Sequence, residues 1–334
     1  MGTQSYIIDQ ITNRSIDVIR VANNTAASSS SGLFSLYREI QAKLKKTPSS
    51  QWFRLSNDIE ALLLNEMRGV VKEVKADLTE FAPIEARFAE NLLVTATTID
   101  TIGRTPASIL ATFTKAPINH FVDKKKVTTP TVDELLGKLG KTNARLIRNL
   151  VRDASLEGRT AQQVSRDIRP LVVNASRREI QSVVLTSFNH YSNQAKQAVY
   201  SENTDILEGV EIVATLDSKT TETCMFYDGK VFPVNSGPRP PFHYNCRSQA
   251  VPVVKEKFRI PIQGRTRASE NGPVDASLTY DGFLRRQSKE RQNEILGPNR
   301  AKAFRDGLPV GKFTNNQGVK LTLNQLRSRY PDKF

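Results

Sequence analysis

Residues 217–247 read DSKTTETCMFYDGKVFPVNSGPRPPFHYNCR, and the architecture of the chain turns on this stretch. It holds both cysteines, Cys224 and Cys246, and one of the three histidines, His243, around an Asp228-Gly229 dipeptide and a proline-rich loop. Upstream, Val210, Ile212, Ala214 and Leu216 alternate with Glu211, Val213 and Thr215, which predicts a strand running into Asp217. Asp-Gly favours a type I′ hairpin turn, because both central residues of that turn need positive φ. Asp228 and Gly229 are therefore expected to set turn geometry, and Lys230–Val234 to form the next strand, on a sheet edge if Pro233 belongs to it. Pro238, Pro240 and Pro241 withhold backbone donors and hold the chain extended. Arg239 to Phe242 then forms a stiff loop that delivers His243-x-x-Cys246 to Cys224.

Four arrangements of these residues compete. Thiolate and imidazole ligands suit zinc, and a structural zinc site takes four of them. Cys224, His243 and Cys246 supply three, with Asp217 the first candidate for the fourth and His190 the second. The CxxC half of a zinc motif is missing, because Thr221 stands three residues before Cys224. The second arrangement is two small buried thiols beside a histidine hydrogen-bonded within a turn. A disulfide is the third, and it requires an oxidising compartment. The fourth, a Cys-His nucleophilic pair, lacks a third orienting residue and an oxyanion-hole signature.

Composition narrows the partners. With 334 residues, 38% of them hydrophobic, the chain has material for about two domains with buried cores. No apolar run approaches the roughly 20 residues that span a bilayer, so no membrane partner is expected. The opening MGTQSYIIDQ lacks the basic flank and apolar block of a signal peptide, which predicts synthesis and assembly in a reducing cytoplasm. A net charge of +14 calls for a polyanion, and Lys255 to Phe334 carry 17 Lys and Arg against 8 acids, or +9 of that total. Double-stranded DNA meets this requirement, held through its phosphates without base reading and hence in a salt-dependent way. An acidic protein surface would satisfy the same electrostatics, as would a solvated face.

The remaining chain reads mainly as helices. Gln4–Asn24 is loosely amphipathic and is expected to end in a flexible break at NNTAASSSSG. Leu33–Leu44 follows, then the long pattern Gln51–Phe81, which Pro83 should kink or end before Ile84–Val94 resumes it. Between residues 95 and 130 periodicity fades into an interdomain connection, with Lys124-Lys125-Lys126 as a solvated bend. Helices return at Asp133–Leu156, at Ala161–Arg169 (capped by Thr160, stopped by Pro170) and at Arg177–Tyr200, where His190 lies on the flank as a surface residue. The fold class is α+β: an extended helical N-terminal region (1–130, including the connection), a compact domain of helices packed on a small antiparallel sheet (131–254), and a basic C-terminal extension (255–334).

The run T-x-D-x-x-T, then C-x-x-x-D-G-K-V-F, then P-P-x-H-x-N-C-R resembles the signature of the Mu F-like minor head proteins of tailed bacteriophages, the head morphogenesis family. That family commonly shows C-x-x-C before its D-G-K, and this chain keeps the second position, as Cys224. Flanking segments extend the resemblance: 157–168 and 183–195 upstream, and 280–287, 295–301, 304–307 and 320–326 downstream. Leu185-Thr186-Ser187 stands where the family often has R-T-E.

The resemblance implies a non-enzymatic minor capsid protein, assembled with the portal and capsid proteins and residing inside the head against packaged DNA. In that setting Arg247, Arg285, Arg286 and Arg300 are expected on or near a basic face, with Arg247 alternatively pairing with Asp217 to close the loop. Two other classes compete with it. A metal-dependent nuclease would use Asp217, His243 and a bound metal, but closely spaced carboxylates are absent. A free DNA-binding or adaptor protein without a virion role is the other, but no helix-turn-helix or zinc-finger repeat supports it.

Overall fold

The computed structural model describes residues 2–101, 113, 115–123, 125–262 and 266–334. The chain forms two compact units, one built from 19–81 and 131–188, the other from 1–18, 82–130 and 189–334. Three helices contribute residues to both: α1 (Thr3–Ser29), α3 (Trp52–Thr97) and α7 (Ser176–Glu202). The whole is α+β, with a long helical N-terminal region and small antiparallel sheets, as expected.

The unit of 19–81 and 131–188 is helical. Its apolar stripes recur at three- and four-residue spacing, Leu36, Ile40 and Leu44 on α2 (Leu33–Lys46), then Leu55, Ile59, Leu63, Val70, Val74 and Leu78 on α3, all buried. The serine-rich run at the end of α1 is helical to Ser29 rather than a flexible break. Its hydroxyls bond back within the helix, Ser28 Oγ to the Thr25 carbonyl at 3.0 Å, while Thr25 Oγ1 donates to Asp77 at 2.5 Å. Expected as one helix, Asp133–Leu156 is two, α4 (Val132–Gly137) and α5 (Lys141–Leu156), parted where Gly140 takes φ +74°. A β-carbon at Gly140 would collide with Met67 Cγ, and its amide donates to Glu179, so the break is fixed from outside the segment. Pro170 does not stop the chain after α6 (Ala161–Arg169): a π-helical turn over Pro170–Ala175 leads directly into α7. Helix α3 also passes through Pro83, where the sequence predicts a kink or an end.

In the other unit, β3 (Leu207–Val213) is the centre of a three-stranded antiparallel sheet of order β4-β3-β5, with β4 at Val231–Phe232 and β5 at Gln249–Val254. The central strand ends at Val213, short of Asp217, because Ala214 and the residues after it bond elsewhere. The edge position of β4 agrees with Pro233, which ends its pairing. Within the expected connection, β1 (Phe121–Asp123) and β2 (Lys126–Thr128) form a hairpin turned at Lys125 (φ +72°). Lys124 of the expected basic bend lies outside the described residues, as do 102–112 and 114 of the same connection.

Downstream, β6 (Thr266–Ser269) and β7 (Gly272–Asp275) form a second hairpin, followed by helices α9 (Tyr280–Arg285), α10 (Lys289–Leu296), α11 (Pro298–Arg305) and α12 (Leu323–Arg329). These helices share one hydrophobic core with the central stretch: Leu216 and Met225 are buried together with Tyr280, Phe283, Leu284, Phe304, Phe313 and Leu326.

Candidate functional site

The central stretch begins with a helix, not a hairpin strand. Thr221 caps α8 (Glu222–Tyr227) by accepting from the Cys224 amide, which fixes Cys224 in the first turn. Asp228-Gly229 then makes a type II turn, since Asp228 has φ −55° and ψ 127° while Gly229 has φ +76°, closed by Lys230 N–H donating to the Tyr227 carbonyl at 3.0 Å. The expected type I′ geometry fails because a helix, rather than a twisted strand, feeds the turn. Only Gly229 needs positive φ.

Asp228 does more than shape that turn. Its buried carboxylate accepts from the Ala214 amide at 2.7 Å, the Tyr280 amide at 2.7 Å and Arg267 Nη2 at 2.6 Å. Arg267 is buried as well, and donates further to the Leu278 carbonyl at 2.7 Å and to that of Ala214. One carboxylate thus ties the end of β3, the β6 hairpin and the start of α9 together.

The proline loop is held by a second buried arginine. Arg239 donates to the Pro233 carbonyl at 2.7 Å, the Val234 carbonyl at 2.9 Å and Gln197 Oε1 at 3.0 Å. From the far side, Val122 N–H of β1 donates to the Phe242 carbonyl at 2.7 Å, and the Phe121 ring meets Tyr244 edge-on at 5.1 Å. His243 and Cys246 are delivered by this frame.

Cys224 Sγ lies 3.7 Å from Cys246 Sγ and 3.0 Å from His243 Nε2, and all three ligand atoms fall within 4.8 Å of one another. Both cysteines are buried and free. His243 Nδ1 sits 2.8 Å from the Tyr244 carbonyl; a carbonyl only accepts, so Nδ1 carries the proton and Nε2 faces the sulfurs. Thr221 Oγ1 lies 2.8 Å from the same Nε2, so the residue at the expected first cysteine position reaches the site with an oxygen. The hydrogen bond with Cys246, with burial, pushes the Cys224 thiol up. Burial would raise Cys246 too, but the bond from Cys224 and the His243 ring outweigh it and bring that thiol down.

The other expected site residues lie elsewhere. Asp217 is not in the group: its two oxygens accept from Arg247 at 2.5 and 2.8 Å. Burial pushes the Asp217 carboxyl up, yet Arg247 more than offsets this and holds it below the ordinary carboxylate range. Arg285 is exposed, pairs with Asp281 at 2.9 Å and lies over the Phe304 ring; Arg300 donates to the Leu321 carbonyl at 2.8 Å; Arg286 is exposed. His190 is not a surface residue but 1% exposed.

Helix α7 explains that burial. Its polar run pins β5: Asn189 donates to the Cys246 carbonyl at 2.8 Å, Asn193 accepts from the Ala250 amide at 3.0 Å, and Lys196 donates to Gln249 at 2.7 Å. Burial drives His190 down from 6.5 to about 4, against the Ala116 backbone bond that favours the charged ring. The unfolded chain therefore binds a proton between these values that the folded chain refuses. Stability conferred by the neutral ring is complete above pH 6.5 and is lost as pH falls through about 4, roughly 3 kcal/mol in all. Urea unfolding between pH 7 and 4 should show this loss, and His190→Gln should remove it; an unchanged slope in that variant would contradict the assignment.

Residues 145–251 match the family model described as Phage Mu protein F like protein. The match supports a Mu F-like phage head morphogenesis protein. No curated protein and no solved structure matches it. The matched range runs from inside α5 to β5 and contains the thiol-imidazole group, the Asp228 turn and the Arg239 loop. Sequence patterning does not mark Arg239, Arg267 or His120, whose Nε2 bonds Tyr227 Oη at 2.6 Å and the Gln317 carbonyl at 2.7 Å. The His120 partners are far away in sequence, beyond the reach of any local pattern. No helix among the described residues is long and apolar enough to cross a membrane.

Proposed function

We infer that this Mu F-like protein is a minor capsid component that associates with the portal, lies inside the head and contacts packaged double-stranded DNA through phosphates alone, without catalysing a reaction. The family match carries the head role. The net charge of +14 supports the DNA contact. So do the exposed Lys257, Arg286, Lys289, Lys312, Arg327 and Arg329, for which no carboxylate lies within ion-pair distance among the described residues. The Arg247–Asp217 pair speaks for a closed loop rather than a phosphate contact at that arginine. It also weighs against a nuclease, whose metal would need the Asp217 carboxylate free.

Fluorescence anisotropy with random-sequence duplexes tests the DNA contact. Affinity should not depend on sequence and should fall steeply with salt. Replacing Arg286, Lys289, Arg327 and Arg329 by Ala should flatten the log–log salt slope by about 1 for each phosphate that is no longer neutralised. Absence of binding at low salt, or a slope unchanged in that variant, would refute the contact.

A further inference from the structure

We propose that Cys224, His243 and Cys246 hold one zinc ion whose fourth position faces the Thr221 hydroxyl, and that the ion clamps the start of helix α8 to the 238–247 loop. The donor set is two thiolates and one imidazole, which suits zinc over harder cations. Tetrahedral zinc with bonds of about 2.3 Å to sulfur sets two thiolates about 3.8 Å apart, and the sulfurs here are 3.7 Å apart. His243 is oriented as zinc-bound histidines are, its other nitrogen donating to a backbone carbonyl. The Cys224 Sγ to His243 Nε2 separation of 3.0 Å must widen by about half an ångström to admit the ion.

The surrounding frame is suited to a structural ion. Ile212, Ala214, Tyr227 and Phe242 form an apolar shell around the two cysteines, which keeps water from competing for the ligands. Asn189 fixes the Cys246 carbonyl, and the Thr221 cap fixes Cys224, so both ligand-bearing backbones are set before an ion arrives. Thr221 Oγ1 lies 2.8 Å from His243 Nε2, an oxygen donor beside the three ligands. The hydroxyl, or a water it holds, completes the tetrahedron there.

The test uses the full chain, reduced and stripped with chelator, titrated anaerobically with cobalt(II) and then with zinc. One equivalent of cobalt, with a thiolate-to-metal charge-transfer band and tetrahedral d–d bands bleached by zinc, is the expected result. Cys246→Ser should weaken or abolish those bands. Thr221→Cys should tighten zinc by more than the roughly 10–100-fold of an outer-shell change, read by competition with a chromophoric chelator. Thr221→Cys keeps the inference falsifiable should Cys246→Ser fail to fold. Reduced, folded protein of both wild type and Thr221→Cys that takes up neither metal would overturn the site. Cobalt bands unaffected by a folded Cys246→Ser, or zinc affinity unchanged in Thr221→Cys, would overturn the ligand assignment.

Discussion

Replacing Asp228 by Asn is expected to destabilise the protein by about 3–5 kcal/mol, the range for breaking a buried ion pair from one side. Its carboxylate meets only donors: the Ala214 and Tyr280 amides and two nitrogens of Arg267. An asparagine turns one acceptor into a further donor, so an amide hydrogen is forced against an N–H. It also leaves the Arg267 guanidinium, 3% exposed, without its counter-charge. Urea unfolding followed by circular dichroism measures the loss as a lower midpoint at unchanged slope. Removing Arg267 as well, as Arg267→Met in the Asp228→Asn background, should recover part of it, because the uncompensated charge is then gone. A single variant within about 0.5 kcal/mol of wild type, the ordinary range of surface changes, would show that Asp228 is only a turn residue.

Glu85→Ala is the second large effect, again about 3–5 kcal/mol. Glu85 is fully buried on α3, its two oxygens accepting from Arg14 Nε at 2.6 Å and Ser192 Oγ at 2.6 Å. Lys196 is equally buried; burial drives its ammonium down to about 8, and the negative charge of Glu85 works against that. Without Glu85 the fully buried Lys196 and the partly buried Arg14 lose the carboxylate that offsets them. The exposed pair Lys302–Asp306, 2.9 Å apart, has similar geometry on a solvated surface, and Asp306→Ala should cost far less. Unfolding curves for both variants separate the cases, and equal losses would contradict the role given to burial.

The site is half legible in the sequence. Cysteine spacing and the proline loop announce that Cys224, His243 and Cys246 will meet, and they do. The edge position of β4 follows from Pro233, and the long apolar stripe of α3 from its periodicity. The departures share a cause, since polarity in this chain is a poor sign of exposure. In the run Asn189, His190, Ser192, Asn193 and Lys196 every side chain is buried, three of them bonded to the Cys246–Ala250 segment. The Ser-rich end of α1 reads as a break for the same reason, although its hydroxyls can satisfy helix carbonyls. Asp228-Gly229 suits either a type I′ or a type II turn, and what decides is the helix before it. The Thr221 cap ahead of Glu222 is the local sign of that helix. Contacts such as His120 to Tyr227, 107 residues apart, leave no local sign at all.

The proposed function stands on incorporation of this chain into a phage head. Quantitative mass spectrometry of purified, DNA-filled particles, assembled from the genome that encodes the chain and treated with protease before and after the capsid is opened, tests it most directly. Peptides of this chain should co-purify with portal and capsid proteins, in low copy number, and resist protease until the shell is breached. Particles that contain DNA but none of this chain would contradict it.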